Sequence, residues 1–507
     1  MLDGYSGAIA LPLTLVLLGS WLFERLLLPG TNAVWRRHWA SLALHAGLCV
    51  VMFALVLAVL LRPWFTAMTV LALLMLVIQV NNAKFHALRE PFIAQDFEYF
   101  TDAIKHPRLY LPFLGIARAV IIGLGFASAL YAGLTLEAAL TAASPVSGVI
   151  AVVLGLLMVG CLLVWLGARP TLPISLQPDT DLWQLGLLAS IWRYYQEERR
   201  PCPQMPAYAQ DAVLTATELP NVVIVQSESF FDARRLYAGI RPEVLAEFSA
   251  LQAQSAYHGQ LAVAAWGANT VRTEFAFLSG LAASALGIHR FNPYRKLART
   301  GIPTLASYCR SLGYRTICVH PYIASFYGRD QIMPKLGFDE FIDITQFKAA
   351  DYSGPYIGDT ALAAKVCSLL QAHASQPVLV FVITMENHGP LHLEQVQTQD
   401  LADAYHTLPP DGCDDLSIYV RHLQNADRMA AMLREQLQSL PQPGWLCWYG
   451  DHVPIMPQVY QALGTPEGQT DYFIWGKGQT QRVAQDLKVE DLGRVLLRAM
   501  GLLKPVP

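Results

Sequence analysis

Apolar residues are spread unevenly along this chain. Before about residue 170 they run in long, almost uncharged blocks, and after about residue 205 they come in short bursts. Five early blocks, approximately 8–29, 40–61, 64–81, 110–134 and 146–168, have the length of roughly 20 residues that a helix needs to cross a bilayer. The leading residues MLDGYSG carry no positive charge and no small-residue cleavage site follows, so the first block reads as a retained span, not a signal peptide. Five such blocks in succession are unlike the buried helices of a soluble protein. The third loop, NNAKFHALREPFIAQDFEYFTDAIKHP, mixes apolar and charged residues and predicts a segment near 85–108 lying along the membrane interface. This gives a transmembrane domain over 1–170 with about five helices, followed by a linker over 171–210.

The second half has a different rhythm. NVVIVQ, LAVAA, RTICVH, PVLVFVIT and WLCWYG are β-rich and apolar on both faces, as strands inside a parallel sheet are. Segments 242–255, 300–312, 356–372 and 416–439 have helical spacing. Together they predict an α/β sandwich with a mainly parallel central sheet over 211–507. In such sheets the ligand site lies beyond the carboxyl ends of the strands. Polar, ligand-type residues follow each run: Ser227, Glu228 and Ser229; Gly267, Asn269 and Thr270; His320; Glu386, Asn387 and His388; Asp451 and His452. One of these alone would be an ordinary turn; five on one sheet edge indicate a shared site.

Composition sharpens the division. A 507-residue chain that is 53% hydrophobic and 15% charged is too apolar for an ordinary soluble protein. Its formal net charge of -3 holds no basic excess, which argues against nucleic acid as a partner. Eight cysteines stand without Cys-x-x-Cys or Cys/His ligand spacing, which argues against a structural zinc site. Basic residues give an orientation signal. Arg25, Arg36 and Arg37 flank the first loop and Lys84, Arg89, Lys105 and Arg108 the third. Counting them places those loops, and with five spans the C-terminal domain, in the cytoplasm.

Each candidate also has a plain structural use. Glu228, in QSESFFD, could be an acid favoured by a helix dipole, and Asp451–His452, in WYGDHVPI, a simple loop pair. Two carboxylates, one imidazole and the Thr270 hydroxyl would instead form a four-ligand site of mostly hard character, suited to Mn²⁺, Mg²⁺ or Zn²⁺. Thr270 could cap a helix. A capping box needs Glu or Gln three residues later, however, where this chain has Thr273, with Glu274 one place too late. A hydroxyl at a helix start is also where a phosphate is well held, and a metal on that oxygen would make it a nucleophile near neutral pH. His320 and His388 could be structural, or could protonate a leaving oxygen or steady a phosphoryl oxygen. Arg329 has the fork geometry for phosphate, though surface ion pairs are its commoner use, and Tyr327 could line the same groove.

QSESF, GANTVRTEF, VHPYIASFYGRDQ, MENHGP and YGDHVP, in this order and spacing, resemble the lipoteichoic acid synthase and phosphoglycerol transferase family of the alkaline phosphatase and sulfatase superfamily. The likeness extends to the five spans and to an acid–proline pair, Glu90–Pro91, in the interfacial segment. By position it implies Glu228, Thr270, Asp451 and His452 as metal ligands, with Thr270 the nucleophile and Mn²⁺ placed before Mg²⁺ and Zn²⁺. It implies that His320, Arg329 and His388 hold the glycerol phosphate group. Tyr327 stands where the lipoteichoic acid synthases have Trp, and Tyr322 where they have a polar residue, so the head-group pocket is shaped differently. No Cys-x-Pro-x-Arg sequence is present to form a formylglycine, which disfavours sulfatase chemistry.

The resemblance implies a bacterial cytoplasmic-membrane enzyme with its catalytic domain outside, against the charge count. The family is preferred here, because basic residues of an interfacial loop can meet anionic lipid. The expected activity is transfer of glycerol phosphate from phosphatidylglycerol to an extracytoplasmic glycan or glycolipid, through a phosphothreonine-type intermediate. The alternatives are a phosphoethanolamine transferase or phosphodiesterase of the same superfamily, or a catalytically silent glycan-binding membrane protein.

Overall fold

A computed structural model describes residues 3–98, 116–143, 145–170, 172–200 and 218–504. It divides the chain into two compact units, Met1–Pro201 and Cys202–Pro507.

In the first unit five helices are long and apolar enough to cross a membrane: Gly7–Leu26, Trp39–Leu60, Pro63–Leu88, Gly123–Ala142 and Val146–Ala168. The third runs seven residues past its expected end at 81, because Asn81 and Asn82 bond to the backbone of the first loop instead of breaking the helix. The expected interfacial segment is described only in part: a 3-10 turn at Ala94–Asp96 follows Pro63–Leu88, and its remainder at 99–108 lies outside the described residues. Two further helices, Pro178–Leu185 and Leu187–Glu197, occupy the stretch expected to be a linker.

Glycines bring Trp39–Leu60 and Val146–Ala168 backbone to backbone. A Cβ on Gly47 would lie 2.7 Å from Val164 N, and one on Gly167 2.6 Å from Ala40 O. Between apolar helices in lipid, such close approach is what gives dispersion forces purchase. One buried charge cluster ties the unit together. The Glu24 carboxylate accepts from Arg37 Nη1 at 2.5 Å and from the Leu187 amide at 2.8 Å, and His45 donates or accepts at Ser20 Oγ across 2.8 Å.

The second unit holds eleven strands among the described residues: β1 (Asn221–Ser227), β2 (Tyr257–Ala262), β3 (Arg315–Val319), β4 (Glu340–Ile342), β5 (Tyr352–Ser353), β6 (Tyr356–Ile357), β7 (Val378–Ile383), β8 (Gly444–Gly450), β9 (Thr470–Gly476), β10 (Val483–Ala484) and β11 (Leu487–Lys488). Nine form one sheet in the order β10-β2-β9-β8-β1-β7-β3-β4, with β11 also on β2, and β5-β6 make a separate hairpin. β8, β1, β7, β3 and β4 are mutually parallel, while β9 is antiparallel to both β8 and β2.

Alternation along β1 explains the layers. Val223 and Val225 face a core built with helices Asp359–Ala372 and Asp414–Ser439; Val222 and Ile224 face one built with Thr270–Ser279 and Val489–Ala499. Helices on both faces bury both sides of the sheet, which is why the parallel strands lack polar alternation. The run LAVAA differs from expectation. The strand there is Tyr257–Ala262, half-exposed and antiparallel to its neighbour β9, so it reads as a mixed sequence, YHGQLA.

Register places the strand ends on one edge. Ser227 pairs with Gly450, Gln226 with Ile383, and Val319 with Val382. β2 is antiparallel to β9, itself antiparallel to β8, so β2 also ends there. Glu228, Thr384, His320, Asp451 and the loop leading to Thr270 therefore leave the sheet on the same side.

Candidate active site

Ser229 is the residue around which one group assembles. Its backbone is left-handed, with φ of 52°, which turns the chain sharply after β1. Its amide then donates to Asp451 Oδ1 at 2.8 Å and its hydroxyl to Glu228 Oε1 at 3.0 Å. The Glu228 amide donates to Thr384 Oγ1, and Thr273 Oγ1 to the Asp451 carbonyl. Three strand ends and one helix are thus fastened around Glu228, Asp451 and His452. Ligand atoms of these three all lie within 4.8 Å of one another.

Thr270 completes the group. It is the first residue of the helix Thr270–Ser279, not its cap; the cap position belongs to Asn269, whose φ is 67° and whose side chain makes no capping bond. The Thr270 hydroxyl lies 3.4 Å from Glu228 Oε2. All four residues are buried, Thr270 the most open at 8% exposure.

The electrostatics call for a cation. His452 Nδ1 sits 3.1 Å from the Val453 carbonyl, an acceptor only, so the ring proton belongs there and Nε2 is left with its lone pair. That nitrogen faces Asp451 Oδ2 at 3.4 Å and Glu228 Oε1 at 3.5 Å. Asp451 Oδ2 and His452 Nε2 have no hydrogen-bond partner. Burial, and then the neighbouring Glu228 charge, push the Asp451 carboxyl up to about 7. Two carboxylates and an imidazole lone pair converging in a buried cluster repel unless a positive ion lies between them, and the donor set fits a hard or borderline divalent metal.

A second group surrounds Arg329, which is 1% exposed. Left-handed Tyr327 and Gly328 turn the chain inward just before it. Arg329 Nη2 donates to Glu274 Oε2 at 2.8 Å and Nη1 to His320 Nε2 at 3.2 Å, and the guanidinium lies 5.3 Å from the centre of the Tyr327 ring. His320 Nδ1 is 3.2 Å from the Ile383 carbonyl, so this histidine carries its proton on Nδ1 and accepts on Nε2. Burial, followed by the Arg329 charge, holds it well below the ordinary histidine range, and it is neutral. Arg329 is therefore not the surface ion-pair arginine that its type commonly is.

His388 stands on the loop after β7. Its Nδ1 donates to the Gly389 carbonyl at 2.6 Å, and the Tyr356 hydroxyl is 3.3 Å away. The Tyr356 ring packs on His388 and, edge to face, on Tyr322. The eight residues singled out from the sequence thus form two groups, buried except for half-buried Tyr327, and a half-exposed histidine. Two neighbours were not among them. Tyr356 comes from the β5-β6 hairpin, which has no motif of its own. Glu274 is four residues after Thr270 on one helix, a spacing that puts both on the same face and could have drawn notice.

A protein-family model described as sulfatase matches residues 220–502. The chain is 27% identical over 443 residues to the capsular polysaccharide biosynthesis protein RkpI of Rhizobium meliloti (strain 1021), covering 82% of this chain and 77% of that protein. It is 26% identical over 183 residues to lipoteichoic acid synthase 1 of Bacillus subtilis (strain 168), covering 35% of this chain and 27% of that protein. Among solved structures it is similar to the Streptococcus pyogenes phosphoglycerol transferase GacH in complex with sn-glycerol-1-phosphate, at 22% identity and a TM-score of 0.49, covering 61% of this chain and 80% of that one.

Proposed function

Because this chain belongs to the sulfatase family, we propose that it is a membrane-anchored phosphotransferase that moves glycerol phosphate from phosphatidylglycerol to an extracytoplasmic glycan or glycolipid. The observation that carries this reading is the Thr270 hydroxyl, buried at a helix start 3.4 Å from a carboxylate of the Glu228–Asp451–His452 group. The family name alone would suggest sulfate esters, but the nucleophile position holds threonine, which cannot become formylglycine. Two relatives support a glycan or glycolipid acceptor: one is named for capsular polysaccharide biosynthesis and one for lipoteichoic acid synthesis.

Glu228, Asp451, His452 and Thr270 would hold a divalent ion, Mn²⁺ before Mg²⁺ or Zn²⁺, which when bound neutralises phosphate charge and acidifies a hydroxyl. Thr270 Oγ attacks the lipid phosphorus, forming a P–O bond to threonine as the P–O bond to diacylglycerol breaks. Arg329 meets the charge that accumulates on the phosphoryl oxygens. With its Nδ1 proton given to the Gly389 carbonyl, His388 keeps an Nε2 lone pair that takes up the proton lost by the Thr270 hydroxyl and passes it to the departing glyceride oxygen. An acceptor hydroxyl then forms a P–O bond as the bond to Thr270 Oγ breaks, its proton returns to Thr270 Oγ, and the second product leaves. Neutral His320, bonded through both nitrogens, orients Arg329.

The test is incubation of the purified full chain with Mn²⁺ and phosphatidylglycerol labelled in the head group. Diacylglycerol release and a labelled protein adduct, both absent from Thr270→Ala, are the expected results. Release from phosphatidylethanolamine instead would reassign the head group; no release from either lipid would favour a silent glycan-binding protein.

A further inference from the structure

Glu274 has no role in the reading above, yet it is the most enclosed charge in the second group. It is 0% exposed and lies on the helix that Thr270 begins, one turn further on. Its Oε2 accepts from Arg329 Nη2 at 2.8 Å, and Gln226 Nε2 approaches the same oxygen at 3.5 Å. Its Oε1 accepts the Tyr294 hydroxyl. Gln226 is itself held by Tyr449, whose hydroxyl donates to Gln226 Oε1 at 2.7 Å. Burial pushes the Glu274 carboxyl up, and the Arg329 charge pulls against that rise.

We infer that Glu274 is a positioning residue: its carboxylate fixes the Arg329 guanidinium toward the transferred phosphate from the same helix that presents Thr270. Three features carry this. Arg329 spends Nη2 on Glu274 and Nη1 on His320, so both fork nitrogens are held, while its Nε is a donor left over. Among the described residues Glu274 has no other cationic partner, so its charge serves Arg329. Thr270 and Glu274 lie on one helix, so nucleophile and clamp share one frame, and a shift of either would move both relative to phosphorus. A buried ion pair adds little to stability compared with apolar packing, so orientation is the more economical explanation of its presence.

The inference rests on the reading of Arg329 as a phosphate ligand, and its test separates the two. In the purified full chain, Glu274→Gln should lower kcat/KM on phosphatidylglycerol by roughly 10²-fold. It should also weaken binding of glycerol phosphate, measured calorimetrically, at least about tenfold. Mn²⁺ affinity should be unchanged within about twofold, since Glu274 is outside the Glu228–Asp451–His452 group. Glu274→Asp should recover part of the loss. Wild-type activity with an equally active and equally binding Glu274→Gln overturns the positioning role and leaves the proposed function standing. A wild type that releases no diacylglycerol but binds glycerol phosphate, with that binding lost in Glu274→Gln, overturns the proposed function and keeps the clamp. Removing one partner of a buried pair can prevent folding. Arg329→Gln still leaves the Glu274 carboxyl buried without its cation, whereas the double variant Glu274→Gln/Arg329→Gln leaves no buried charge and so keeps the test open if a single variant fails to fold. If Glu274 acts only through Arg329, both bind glycerol phosphate alike; a further tenfold loss in the double variant refutes it.

Discussion

Thr270 shows how little a residue type decides alone. Threonine at a helix start is ordinarily a cap; its motif makes Thr270 a nucleophile candidate, and the fold sets its hydroxyl 3.4 Å from Glu228 Oε2. Thr270→Ala should lower transfer by at least about 10³-fold while leaving the fold intact, checked by diacylglycerol release and thermal unfolding. Arg329→Lys should lose roughly 10²-fold, because a point charge cannot bond Glu274, His320 and phosphate in one plane. Asp451 yields a pH prediction. Its carboxyl is pushed up to about 7 from 3.8, so the metal-free folded chain keeps a proton that the unfolded chain loses. That contribution to stability is present below about pH 4 and lost as pH rises through about 7. The thermal midpoint of chelated protein should therefore fall across that window, and Mn²⁺ should restore more at pH 8 than at pH 5.

At the scale of elements, β8 and its exit are set by a glycine. A Cβ on Gly450 would stand 1.8 Å from the Phe230 carbonyl oxygen, so Gly450→Ala must displace the strand end that carries Asp451. We expect Mn²⁺ affinity to drop at least about tenfold, with far-ultraviolet circular dichroism unchanged. In the first unit, Gly160 meets Val51 N at 3.0 Å and Gly47 O at 3.1 Å from its would-be Cβ. Gly160→Leu should separate Trp39–Leu60 from Val146–Ala168 and cost about 1–3 kcal/mol, read as a lower thermal midpoint in detergent. The five helices of membrane-crossing length were visible in sequence because uninterrupted apolar length is a local property of the chain. The two helices over 178–197 were not, because short helices with mixed composition look like connecting chain.

For the whole molecule, a sulfatase-family unit joined to spans of membrane length suits a donor that stays in the bilayer. A β-lactamase reporter fused after residue 200 should be active in intact cells if the catalytic unit lies outside, in opposition to the loop charge count. Among the described residues every cysteine is free, so reductant should not alter activity, whereas a chelator should abolish it.

The sequence by itself determined the two-part build, the buried strands and the eight candidate residues, because apolar length, strand composition and ligand-type residues after each run are local properties. It also carried the resemblance to the lipoteichoic acid synthase and phosphoglycerol transferase family, through motifs whose order survives in the chain. Tertiary structure alone decided that β2 is antiparallel to β9, that Tyr356 backs His388, and that Glu274 grips Arg329 across 55 positions. Such pairings depend on which strands neighbour which and on which charges are left without water. Residues far apart in sequence become partners only when the sheet brings their ends to one edge.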